Sequence, residues 1–170
     1  MSRAFVKEDG PDNEPLPDLP ISPHPNYVTP RGLRALRDRL AAVQTDLARL
    51  KVRADRLDLL PERAAERDIR YLEARLRSAI LIDPANQPAG EVAFGARVTV
   101  ADVAGSETTY EITGEDEADA ALGRIAPYSP LARALLGARI GDRVEWARPS
   151  GRMELEILAI DYPRDDGRTA

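Results

Sequence analysis

From Leu33 onward the apolar positions recur three and four residues apart: Leu33, Leu36, Leu40, Val43, Leu47, Leu50, Ala54 and Leu57. This is a heptad seam, the pattern of a helix lying along one partner, and it predicts a first helix from about Arg31 to Leu57. Thr29 supplies a capping oxygen, and Pro30 suits the first helical position, where its missing N–H has no partner anyway. Ala65, Ile69, Leu72, Leu76 and Ala79 repeat the step and predict a second helix ending near Ile82, before Asp83-Pro84. Between the two lies a tight acidic tip, Asp58-Leu59-Leu60-Pro61-Glu62, where Pro61 is expected to stop the first helix. A turn this short folds the second arm back on the first. The expected product is an antiparallel hairpin over 29–83 with a reach of roughly 40 Å at 1.5 Å per residue.

Beyond Glu91 the period changes to two. Strands are predicted at Phe94–Val100 and Thr108–Thr113, joined by a turn through Asp102 to Ser106 that contains Gly105. Glu115, Asp116, Glu117 and Asp119 read as an acidic loop, and Ile125 as part of a short third strand. Ser129-Pro130 repeats the cap-plus-proline signal and opens a short helix through Leu136, with Gly137 placed to end it in a left-handed conformation. Arg143–Ala147 and Met153–Ile160 complete the alternating segments around a Pro149-Ser150-Gly151 turn. The fold class is therefore α+β: a helical hairpin, a Pro/Gly linker at 84–90, and a small, mainly antiparallel sheet domain over 91–163 with one short helix against it. Residues 1–28, with prolines at 11, 15, 17, 20, 23 and 25, read as an extended, largely disordered acidic tail in which Phe5 and Val6 could meet a partner; 164–170 read as a second loose tail.

Charge sharpens this division. The tail 1–29 carries 2 basic against 5 acidic side chains, the hairpin 30–83 carries 13 against 9, and 84–170 carries 9 against 15. A basic finger on an acidic body is not the footprint of a free duplex-DNA binder. It suits an element that enters an anionic place while the body docks elsewhere; a solvated arginine-rich helix surface is the plainer alternative. The chain has no cysteine, so disulfides and thiolate zinc sites are excluded. No signal-peptide pattern and no apolar run of spanning length occurs, which argues against membrane insertion and for a cytoplasmic protein. The single histidine, His24, lies between two prolines in the tail and offers no support for nucleophile activation.

Ser129-Pro130-Leu131-Ala132-Arg133-Ala134-Leu135-Leu136-Gly137, followed by Ile140-Gly141-Asp142, closely resembles the Gre family of bacterial transcription elongation factors, GreA and GreB. Agreement extends to Phe94-Gly95-Ala96 with Val98, Tyr110-Glu111-Ile112, Gly114 through Asp119, Ile157 to Tyr162, and Thr29-Pro30-Arg31-Gly32-Leu33 at the helix start. The resemblance implies a coiled-coil hairpin followed by a domain resembling the FK506-binding-protein fold. It implies that this domain grips RNA polymerase at the rim of the secondary channel while the hairpin passes down the channel. Docking contacts carry onto Ser129 and Pro130 at the head of the short helix, with Tyr128 in place of the family's usual Asp or Asn, and with Arg133 beside them. In cleavage factors, tip carboxylates help to hold Mg²⁺ in the polymerase's own active centre; here the candidates are Asp58, Glu62 and Glu66. Mg²⁺ commonly takes one or two carboxylates and completes its shell with phosphate and water.

The resemblance thus implies no catalysis, stably bound metal or cofactor of the chain's own. Nascent RNA and DNA would be met only within the polymerase complex. The tip departs from the family pattern: its acids are spaced one residue further apart, and the accompanying Asn and Tyr are absent. Two readings therefore stand side by side. One is an elongation factor that stimulates cleavage of backtracked transcripts. The other is a non-cleaving, polymerase-binding regulator with a short hairpin, like Rnk, in which Asp58 and Glu62 merely favour the turn and the following helix N-terminus. A prolyl isomerase is disfavoured, because aromatic residues are only 5% of the chain and fold alone does not carry activity. Two matched arms satisfy one another internally, which predicts a monomer.

Overall fold

In the computed structural model, residues 14–53 and 58–163 are described. Helix α1 spans Pro30–Lys51 and α2 spans Leu60–Ser78. Leu36 and Leu72 are buried between them, flanked by Leu33, Leu40, Val43, Tyr71, Leu76 and Ala79, so the predicted seam packs from Leu33 to Val43 on the first arm and from Leu72 to Ala79 on the second. The predicted Ala54 and Leu57 positions lie outside the described residues, as do Phe5, Val6 and the tail 164–170.

Three boundaries differ from expectation. First, α1 closes at Lys51, not near Leu57: Val52 leaves helical geometry and Arg53 N–H turns back to the Leu50 carbonyl. Its 22 residues give a reach of about 33 Å. Second, Pro61 does not stop the first helix. It sits in the first turn of α2, where a missing N–H costs nothing. Third, α2 stops at Ser78 instead of near Ile82. Ile80–Leu81 (β2) leaves the helix to pair in parallel with Tyr27–Val28 (β1), the segment just before α1. That pairing, with Asn26 and Val28 buried, makes the end of the expected tail the floor of the hairpin. The chain entering the hairpin and the chain leaving it are thus stapled side by side.

The head is a five-stranded sheet in the order β5-β4-β3-β7-β6. Strand β3 is Arg97–Asp102, β4 Glu107–Ile112, β5 Arg124–Ile125, β6 Arg143–Arg148 and β7 Gly151–Asp161. All neighbours are antiparallel except β4 and β5, which run parallel. The strand predicted from Phe94 begins only at Arg97, because Phe94–Ala96 forms a tight turn closed by Ala96 N–H to the Ala93 carbonyl. The turn through Asp102 forms as read, its carboxylate accepting from the N–H groups of Ala104 and Ser106. Helix α3, Pro130–Leu135, is capped by the Ser129 hydroxyl and followed by Gly137 at φ +83°. Leu131, Ala132 and Leu135 bury against Val98, Val100, Ile112, Leu155 and Ile157 on the sheet. The linker is built into this body. Pro84–Asn86 makes a short 3₁₀ turn and Pro84 is buried.

Hairpin and head meet at Glu115–Glu117, the acidic loop of the sequence, which is also a 3₁₀ turn. The Glu117 carboxylate accepts from the Thr29 hydroxyl at 2.7 Å and from the Gly114 N–H at 3.3 Å, while Arg31 pairs with it at 3.3 Å and with Glu111 at 2.7 Å. A Cβ on Gly32 would come within 2.2 Å of Glu117, so the absence of a side chain there lets α1 approach the turn. From the other arm, Arg75 pairs with Asp116 at 2.6 Å and Glu115 at 3.4 Å, and Tyr71 donates to Asp116 at 2.7 Å. Partial burial opposes the Arg31 charge, but the hydrogen bonds and fields of Glu111 and Glu117 prevail and hold its guanidinium above the ordinary value. Burial, reinforced by the Asp116 hydrogen bond and charge, pushes the Tyr71 phenol up to about 12.

Arg75 is only 2% exposed, so removing it takes the cation from two carboxylates at the interface and leaves Asp116 with the Tyr71 hydroxyl. Arg75→Ala is expected to lower unfolding stability by about 3–5 kcal/mol in urea titrations. Tyr71 keeps its proton in the folded chain up to about 12, against 10.0 as its ordinary value. Its contribution to the clamp is therefore whole below pH 10 and is lost as pH rises toward about 12. Spectrophotometric titration should show a late-ionising tyrosine that moves back toward 10 in Asp116→Asn.

Candidate functional site

Two regions hold the residues singled out in the sequence: the free end of the hairpin and the corner of the head at α3. At the hairpin end the three acids are not equivalent. Asp58 is exposed, and its carboxylate accepts from the Leu60 N–H at 2.8 Å, the local bond of a residue that favours a turn before a helix. Glu62, in the first turn of α2, is only 4% exposed and faces Arg53 at 4.0 Å. Arg53 also donates to the carbonyls of Leu50 and Asp58, so one side chain ties the end of α1 to the start of α2. Glu66 pairs with Lys51 at 2.9 Å across the hairpin. The structure thus presents one of the three carboxylates outward and engages the other two with Lys51, at the end of α1, and Arg53, just beyond it.

This division could not be read from the linear spacing. Lys51 faces Glu66 from the last turn of α1, and Arg53 faces Glu62 from beyond its end. The excess of arginine and lysine near the end of α1, opposite acids early in α2, was the available signal. Among the described residues, no group of three or more histidine or acidic side chains is placed to hold a metal ion, and no helix is long and apolar enough to cross a membrane.

At the head, Ser129 accepts from the Ala132 N–H at 3.2 Å, which fixes the first turn of α3. Pro130 and Arg133 are exposed on that turn. Tyr128 precedes it, with its hydroxyl donating to the Pro25 carbonyl at 2.8 Å and its ring stacked on His24, centroids 4.1 Å apart and planes 18° apart. Loss of solvent raises the Tyr128 phenol above its ordinary value, with smaller contributions from Tyr27 and Glu115. The four docking candidates therefore form one continuous corner, Tyr128 to Arg133. The sequence reading missed His24 as a part of it. A histidine flanked by prolines has a restricted backbone, which is a hint of placement, but nothing in the sequence names Tyr128 as its neighbour.

The chain is similar in sequence to known proteins. Residues 87–162 match the family described as transcription elongation factor GreA/GreB, C-terminal. The chain is 37% identical to transcription elongation factor GreB of Neisseria meningitidis over 157 residues, covering 83% of this chain and 96% of that protein. It is 48% identical to transcription elongation factor GreA of Legionella pneumophila over 96 residues, 55% of this chain and 60% of that protein. A crystal structure of the GreA factor homolog Gfh1 from Thermus thermophilus overlaps 81% of this chain and 99% of its own, at 24% identity and a TM-score of 0.39, a loose overlay that adds nothing to the fold already described. With a GreB matched over nearly its whole length and the head matched by the family's C-terminal domain, the chain belongs to the GreA/GreB family of transcription elongation factors.

Proposed function

We propose that this elongation factor docks on bacterial RNA polymerase through the Tyr128–Arg133 corner and extends its hairpin into the secondary channel, modulating elongation from there. It carries no catalytic machinery or cofactor of its own and acts as a monomer in the cytoplasm, meeting RNA and DNA only inside the polymerase. The supporting observation is the clamp at Glu115–Glu117, which grips Thr29 and Arg31 on one arm and Tyr71 and Arg75 on the other. A finger fixed to its base in this way transmits the position of the docked head to the tip. The two arms already cover one another's apolar seam, so a second copy is not required.

At the tip, Asp58 is the residue we assign to the polymerase active centre. A Mg²⁺ held there by the polymerase would supply the acidity to activate an attacking water. Asp58 would contribute a single oxygen ligand, while Glu62 and Glu66 brace the tip through Arg53 and Lys51. The second reading, a regulator that binds without promoting cleavage, is favoured by that same bracing, since two of the three acids are engaged within the hairpin.

The two readings separate on backtracked polymerase complexes with radiolabelled RNA. A single contributing carboxylate predicts shortened RNA whose rate of appearance falls by about tenfold or more in Asp58→Ala, with binding to the polymerase unchanged. No shortened RNA with the unsubstituted chain, under conditions where an authentic cleavage factor yields it, establishes the binding-only reading. If no complex with core polymerase forms at all, the proposal fails.

A further inference from the structure

Residues 16–26 lie outside both the hairpin and the head, yet they are tied to both. Arg70 of α2 donates to the Leu16 carbonyl at 2.8 Å and pairs with Asp18 at 2.6 Å. At the other end, Asn26 donates to the Arg75 carbonyl at 2.8 Å and to the Ser78 hydroxyl at 3.1 Å, immediately before β1 joins β2. Between these ties the chain holds Pro17, Pro20, Pro23 and Pro25. Proline fixes one backbone dihedral, so a segment anchored twice and stiffened four times loses little further entropy when held in place. What it holds is His24, flat over the ring of Tyr128, with the Pro25 carbonyl accepting the Tyr128 hydroxyl. One face of the imidazole lies on the phenol, and His24 is nevertheless exposed. A partner arriving at this corner therefore meets His24 on one face of Tyr128, the residue just before the Ser129 cap of the turn that carries Pro130 and Arg133.

We infer that this segment is a strap that completes the polymerase-docking corner, with His24 as a contact residue presented by Tyr128. The inference rests on the docking reading given above. The partner surface it fits is a protein surface offering an apolar or aromatic group to the imidazole face and a carboxylate to Arg133. A strap that merely masked the corner would have to swing clear before docking, and a segment tied at both ends is poorly built for that. The strap's role is to position a flat, rigid group where the sequence otherwise supplies only a tyrosine.

The test is a titration of full-length chain against bacterial RNA polymerase core, comparing the unsubstituted protein with His24→Ala, His24→Phe and Arg133→Glu. The inference expects His24→Ala to bind about fivefold more weakly, as loss of one stacked contact would give, and His24→Phe to stay within about twofold of the unsubstituted protein. The thermal midpoint should be the same for all three histidine-site proteins, because His24 is exposed and belongs to neither hydrophobic cluster. Unchanged or tighter binding by His24→Ala, with Arg133→Glu still weakened, overturns the strap's role and leaves the docking corner intact. Unchanged binding by both His24→Ala and Arg133→Glu overturns the corner itself, and the strap's role with it.

Discussion

Everything that makes this molecule a finger on a base depends on one cluster of charge. The carboxylates of Glu115, Asp116 and Glu117 stand in a single 3₁₀ turn of the head and are met by Arg75, Tyr71, Thr29 and Arg31 from the two arms of the hairpin. Apolar packing could hold the arms to each other, and does, through Leu36 and Leu72. It could not by itself fix the direction in which the pair leaves the head, since dispersion and burial are non-directional. Hydrogen-bonded ion pairs have directional geometry, and here three successive side chains of one turn reach two different helices. The cost of desolvating Arg75 is offset by two acids and makes the arrangement specific rather than merely sticky.

The charge segregation of the sequence takes on meaning in this light. A basic hairpin beside an acidic head pointed outward, toward an anionic destination. Part of that imbalance is spent internally, where the acids of the head bind the arginines at the hairpin's base. Arg31 and Arg75 are occupied in this way, and Lys51 and Arg53 are occupied at the far end by Glu66 and Glu62. Counting charge by segment detects such complementarity but cannot say whether the partner is another molecule or another part of the same chain.

Much of the architecture was legible because it rests on periodicity and on capping. The seam from Leu33 to Val43, the Asp102 turn, the short strand at Ile125 and the Ser129-Pro130 start of α3 each announce themselves within a few residues. What escaped depends on contacts between residues far apart in the chain. Heptads continue past Lys51, yet α1 ends there; Ile80 and Leu81 suit a helix, yet Tyr27 and Val28 offer a better partner. At the candidate site, the corner at α3 was legible from its motif. The unequal fates of Asp58, Glu62 and Glu66, and the placement of His24, were not, because each is decided by a neighbour that spacing does not reveal.

The parallel pairing of Tyr27–Val28 with Ile80–Leu81 carries a wider consequence. It closes the stem at its root, so the two helices emerge from a fixed origin whatever their extent. Whole heptads could be gained or lost at the far end during divergence without altering the register at that origin or the head below it. Probe length is thereby separated from anchorage, and evolution can adjust how deep such a factor reaches as an independent variable.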